Sequence, residues 1–210
     1  MDLVVIGAGG RTGRLVVDQA LAGGHRVTAY VRRPEVVTVR HDRLAVVRGD
    51  VLDPGGVMDV IADKDAVVST LGVKGRSTTT VFSEGITNVV RAMEAKGVRR
   101  VLTVSSAGLS IGPHMPLPQR LVAGYIIERI LRNIYLDLAR MEDELEVSDT
   151  DWTVVRAPLL ADRPASGQYR VAVDGHLTRP GRISRADLAG CIVSRIADYD
   201  TFRKRVEISY

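Results

Sequence analysis

A doubly wound, parallel α/β sheet with a small C-terminal lobe on the substrate side is the fold class this sequence predicts. Three observations predict it. The apolar run Leu3-Val4-Val5-Ile6 breaks into glycines at 7, 10 and 13 and then into an amphipathic run, Leu15 to Ala22. Five short strand runs alternate with helical ones along the first half of the chain, as parallel crossover units require. At 210 residues, 45% hydrophobic and 26% charged, the chain has the size and balance of one soluble globular domain. We therefore expect a single domain over 1–210, with substrate-side segments around 107–135 and 157–185.

The first strand, turn and helix are read from physical needs. Gly7 lets the chain turn sharply off the strand, Gly10 lets backbone approach a diphosphate, and Gly13 lets the helix pack on the strand. The helix N-terminus adds unpaired N–H groups and partial positive charge. Gly7, Gly10, Arg11, Thr12 and Gly13 are thus the candidate phosphate-side residues. The spacing is G-x-x-G-x-x-G, the short-chain dehydrogenase form of such a loop.

The second strand is Arg26–Val31. An acidic residue at its end would hold the ribose 2′-hydroxyl of NAD. Arg32 and Arg33 stand there instead, followed by Pro34. A guanidinium forks onto a 2′-phosphate where a carboxylate repels it, so the expected cofactor is NADP(H). Arg11 is expected to reach the same phosphate. The alternative is a pair of solvated turn arginines.

Strand three, Leu44–Arg48, ends in Gly49-Asp50-Val51. Asp50 is a candidate acceptor for the adenine amino group and Val51 a surface for the ring, while Asp53-Pro54 reads as a helix cap. Strand four, Ala66–Thr70, leads into Leu71-Gly72, where a glycine permits close approach to the ribose and nicotinamide. Thr70, Leu71 and Gly72 join the cofactor-side set. Phe82, Ile86, Val89 and Met93 recur at helical spacing within Val81–Lys96, and Gly97 ends that helix.

Strand five, Arg100–Val104, runs into Ser105-Ser106. Both serines fall where the nicotinamide should lie. Leu109 to Pro118 reads as a loop forming one wall of a substrate pocket. His114 is the histidine placed for that pocket, as a proton shuttle or as a solvated loop residue. A helical stretch from Arg120 to Val147, a strand at Trp152–Arg156, a strand–turn–extended return over Gln168–Ile183, a helix opened by Ser184-x-x-Asp187 and a last strand at Arg205–Ser209 complete the chain.

Composition excludes several classes. One cysteine, Cys191, rules out an internal disulfide and a cysteine-rich metal site. Net charge is +4, but the basic residues are dispersed, so no nucleic-acid partner is expected. No apolar run approaches the roughly 20 residues needed to cross a bilayer, so no membrane partner is expected. The first strand begins at Leu3, leaving no room for a leader, and the expected location is the cytoplasm.

With these residues read, the chain resembles the atypical short-chain dehydrogenase/reductases, which share the Rossmann fold. Within them it is most similar to the biliverdin-IXβ reductase/NADPH-dependent flavin reductase family. Beyond the glycine loop, Val31-Arg32, Gly49-Asp50-Val51 and Leu71-Gly72, the likeness rests on Thr79-Thr80-Val81, Ser83-Glu84-Gly85, Asn88, Ala92-Met93, Gly97-Val98, Val173-Asp174-Gly175 and Ile183-Ser184-x-x-Asp187-Leu188. The resemblance implies a small-molecule acceptor such as a flavin or quinone, and it puts Ser106 on the family's active-site serine.

Two departures bear on chemistry. Where the family has a histidine after the sixth strand, this chain has Pro158-Leu159-Leu160, which argues against bilin reduction. The wider superfamily's Tyr-x-x-x-Lys is absent: none of Lys64, Lys74, Lys96 and Lys204 lies four residues after a tyrosine, and Tyr125-x-x-x-Arg129 is a formal echo only. Three functions stay open: a reductase of a planar acceptor, a non-catalytic NADP(H) sensor of the NmrA type, and, disfavoured by length and the missing acid–base pair, a sugar-nucleotide epimerase.

Overall fold

A computed structural model describes residues 1–73, 79–110, 112, 117–126, 129 and 131–210, with the side chains of 118–120 and 122–123 left aside. In chain order the elements are β1 (Asp2–Ile6), α1 (Arg11–Ala22), β2 (Arg26–Val31), β3 (Leu44–Arg48), α2 (Pro54–Ile61), β4 (Ala66–Ser69), α3 (Val81–Lys96) and β5 (Arg100–Ser106). The second half adds α4 (Leu117–Ile126), α5 (Arg132–Val147), β6 (Asp151–Ala157), β7 (Leu159–Ala161), β8 (Arg170–Val173), β9 (Arg182–Ser184), α6 (Arg185–Ser194) and β10 (Lys204–Ser209).

The main sheet runs β3-β2-β1-β4-β5-β6-β10-β8, parallel except for the antiparallel edge strand β8, and β7 and β9 form a small parallel pair. The order reverses between β1 and β4, so crossovers leave in opposite directions there and a crevice opens at their carboxyl ends. This is the doubly wound α/β fold expected. Alternation along the strands feeds two cores. Leu3 and Val5 of β1 face α1 and α6, while Val4 and Ile6 face α2, α3 and α5.

Several boundaries differ from the periodicity reading. β5 extends through Ser106, because Ser105 and Ser106 stay in register with Arg156 and Ala157 of β6. Within the stretch expected as a helix, the described residues include the end of α4 and all of α5. The expected strand and return over 168–183 do not pair with each other. β8 joins β10, with Asp174 turning away at φ 47°, and β9 joins β7.

Two buried polar groups hold the C-terminal third. Arg100 donates to the last carbonyls around α6, Arg195 O (2.6 Å) and Ile196 O (2.8 Å), and stacks over Phe202; burial pulls its pKa down to about 10. Asp187, fully buried, accepts from Ser166 N, Gly167 N, Ser184 Oγ and Tyr210 Oη (2.6 Å). Burial alone would raise its pKa, yet these donors hold it well below the usual carboxylate range. A depressed folded-state pKa stabilises the fold at pH above the unfolded value of about 3.9 and loses that contribution as pH falls. Acid titration of the wild type should therefore show a loss of stability below about pH 4 that Asp187→Asn lacks. Parallel stability–pH curves for the two proteins would refute this role.

Candidate cofactor site and active-site pair

The carboxyl ends of β1 to β4 surround a cavity of about 740 Å³. Its floor is the glycine loop at Gly7, Gly9 and Gly10. Tyr30 to Arg33 with Val36 form one wall, Gly49 to Leu52 a second, and Leu71 to Val73 with Thr79 and Val81 a third. Gly7 has φ 78°, and a Cβ there would lie 2.9 Å from Thr70 O. A Cβ on Gly13 would lie 2.3 Å from Gly7 O and 2.7 Å from Thr70 Oγ1. Both glycines are thus demanded by backbone contact. Gly13→Ala should cost about 1–3 kcal/mol of stability by overpacking and abolish the thermal shift given by NADPH. Urea denaturation and melting with cofactor check both; a wild-type melt that still rises with NADPH would refute the contact argument.

The N-cap of α1 is Gly10, which brings no side-chain cap to the first-turn N–H groups. Arg32 and Arg33 line the cavity and are exposed, and their guanidiniums form no hydrogen bond or ion pair among the described residues. An uncapped helix start and two uncommitted guanidiniums in one crevice fit a diphosphate and a third phosphate. Asp50 also lines it, its Oδ1 accepting from Leu52 N (3.1 Å).

The wall carrying Asp50 and Val51 is set by residues whose role is spatial. The buried Tyr30 Oη donates to Asp50 O (3.2 Å), and a Cβ on Gly49 would fall 2.1 Å from Tyr30 Oη. Burial, then the nearby Asp53, Asp50 and Asp59 carboxylates, push the Tyr30 phenol up, so it stays a donor. From α3, Asn88 Nδ2 donates to Val51 O (3.0 Å), and a Cβ on Gly85 would stand 3.2 Å from both Val51 and Leu71 side chains. That explains the Gly85 and Asn88 motif. Tyr30, Val36, Leu52, Val73, Thr79 and Val81 were missed as lining residues; Tyr30 carried the one available signal, an aromatic in a strand followed by glycine at β3.

Three residues expected on the cofactor side lie outside the cavity lining. The Arg11 guanidinium pairs with Asp162 (2.7 Å), which also holds Arg185 (2.6 Å), so Arg11 is engaged away from the cavity. Thr70 is buried and donates to Ile6 O (3.1 Å), bracing the loop from beneath. Ser105 is buried and donates to Glu142 Oε1 (2.6 Å), because alternation along β5 points it at α5. Thr12 and Gly13 lie in the first turn of α1, outside the cavity lining. His114 lies outside the described residues.

Ser106 shares a 2.7 Å hydrogen bond with Tyr135 Oη of α5 and accepts from Gly108 N (3.2 Å). β4 ends level with Thr103, so Ser106 stands three residues further along β5, and neither it nor Tyr135 is among the residues lining the cavity. Tyr135 is the functional candidate the sequence reading passed over. Four residues after it stands Ala139, so the Tyr-x-x-x-Lys pattern that would flag it is broken. Asp137, one residue further than Leu136, accepts from Phe82 N (2.9 Å) and Ser83 N (3.2 Å) and so ties Tyr135's helix to the start of α3.

Fold and crevice together define a dinucleotide-binding protein. The NAD(P)H-binding family model matches residues 7–199, and the chain belongs to that family. An uncharacterized chloroplastic protein of Arabidopsis thaliana, At2g34460, is 30% identical over 97% of this chain and 75% of its own. Among solved structures, a short-chain dehydrogenase/reductase from Veillonella parvula in complex with NADP superposes with TM-score 0.83 at 19% identity, covering 100% of this chain and 94% of that one. ChuY, an anaerobilin reductase from Escherichia coli O157:H7, superposes with TM-score 0.77 at 22% identity, covering 100% and 97%. Among the described residues no helix is long and apolar enough to cross a membrane, and no cluster of His, Cys, Asp and Glu suits a metal ion.

Proposed function

We propose that the protein is an NADPH-dependent reductase that passes hydride to a planar, conjugated acceptor such as a flavin or quinone. The observation that carries this reading is the Ser106–Tyr135 hydrogen bond at the carboxyl end of β5. The glycine loop and the start of α1 would hold the diphosphate, Arg32 and Arg33 the 2′-phosphate, and Asp50 with Val51 the adenine. Bound NADPH supplies the hydride. Ser106 and Tyr135 offer one donor network to an acceptor oxygen or nitrogen beside it.

With Ala139 in place of a lysine, no cation assists proton loss from Tyr135. That suits an acceptor whose reduced anion is delocalised and takes its proton from water, where positioning matters more than a strong acid. The bilin and carbonyl chemistries of relatives ask more. The same missing lysine favours a second reading, a non-catalytic NADP(H) sensor.

One experiment separates them: NADPH oxidation followed in absorbance with FMN and with a soluble quinone. Turnover that falls about tenfold in Tyr135→Phe, with NADPH affinity unchanged, supports the reductase. Tight NADPH binding with no turnover on either acceptor supports the sensor.

A further inference from the structure

Helix α4 leaves large apolar side chains in solvent. Leu117, Leu121 and Tyr125 recur every four residues and are 58%, 63% and 65% exposed, with Ile126 beside them. Steps of four follow one face of a helix, so this is a stripe rather than scattered exposure. Beyond the end of α4, Arg129 and Arg132 are both exposed, and neither has an ion-pair partner among the described residues. From Leu117 to Leu136 the sequence holds Arg120, Arg129 and Arg132 against one acid, Glu128. Such a patch, apolar along its length and cationic at one end, needs an occupant that is both oily and negative.

We propose that α4 docks on an anionic lipid bilayer, lying in its interface with Leu117, Leu121 and Tyr125 inserted and Arg129 and Arg132 against the headgroups. An anionic membrane satisfies both halves of the patch. A second copy of the chain would not, since in either orientation the same segment brings three arginines and only one acid, Glu128, to the contact. The expectation of no membrane partner rested on spanning length, which says nothing about a helix that lies flat.

The test is flotation of the full chain with vesicles of phosphatidylcholine alone and of phosphatidylcholine mixed with phosphatidylglycerol, without NADPH, so that the result stands apart from the reductase reading. The protein is expected to float with the mixed vesicles only, and less at raised salt. Arg129→Gln and Arg132→Gln should each lower partitioning about fivefold. Leu121→Asp should abolish it while keeping the parent's melting temperature. Tyr125→Trp, a mild change, should show a blue-shifted emission on adding the mixed vesicles. Absence of flotation, equal flotation of Leu121→Asp, an unshifted Tyr125→Trp spectrum, or a dimer that Leu121→Asp converts to monomer would overturn the proposal, the last by assigning the stripe to a second copy.

Discussion

Replacing Glu142 by alanine is expected to cost about 3–5 kcal/mol of folding stability, because it strands the Arg156 guanidinium inside the protein and strips Arg205 of its buried partner. Glu142 is 3% exposed. Its Oε2 meets Arg156 Nη2 at 2.5 Å and Arg205 Nε at 3.0 Å, and its Oε1 meets Arg156 Nε at 3.1 Å and Ser105 Oγ at 2.6 Å. Arg205 continues to Glu146, and Arg156 to Ser110. One carboxylate thus joins α5 to β5, β6 and β10. Removing it leaves the mostly buried Arg156 with no carboxylate and Arg205 with only the exposed Glu146, which costs far more than the pair contributes when intact. Glu142→Gln keeps the volume but not the charge, so most of the loss should persist. Urea unfolding with an unchanged slope measures it; a loss under about 1 kcal/mol would show that water reaches the arginines.

Arg32→Ala combined with Arg33→Ala should weaken NADPH binding about a hundredfold and leave NADH within about threefold. A hydrogen bond to a charged group contributes about 1.5–3 kcal/mol, and the lower end applies to exposed side chains. Two such contacts give about 3 kcal/mol, which is about a hundredfold in affinity. Neither guanidinium is held by another protein group among the described residues, so the substitution should leave the melting temperature of the free protein in place. Titration of both cofactors into both proteins decides it. Equal NADPH and NADH affinities in the wild type would remove the argument for a 2′-phosphate site.

Much of the site was legible because the cofactor-side chemistry is local. Gly7, Gly10, Arg32, Arg33, Asp50, Val51, Leu71 and Gly72 all sit within a few residues of strand ends, and the lining of the cavity contains each of them. What failed was direction. Ser105 and Ser106 are adjacent in sequence, yet Ser105 belongs to the Glu142 network and Ser106 to Tyr135. Arg11 has the right address for a phosphate but a nearer partner in Asp162, 151 residues away in sequence. A pairing between distant segments leaves no periodic trace.

The sequence by itself determined the doubly wound sheet, the glycine-lined crevice and its basic rim. Alternation of apolar residues and obligatory glycines are written at short range, where sterics and burial act residue by residue. Only the tertiary structure decided which polar side chains meet. It joined Tyr135 to Ser106, drew Ser105 and Arg11 out of the crevice, and left the α4 stripe uncovered, because hydrogen bonds and exposure depend on how separate elements pack.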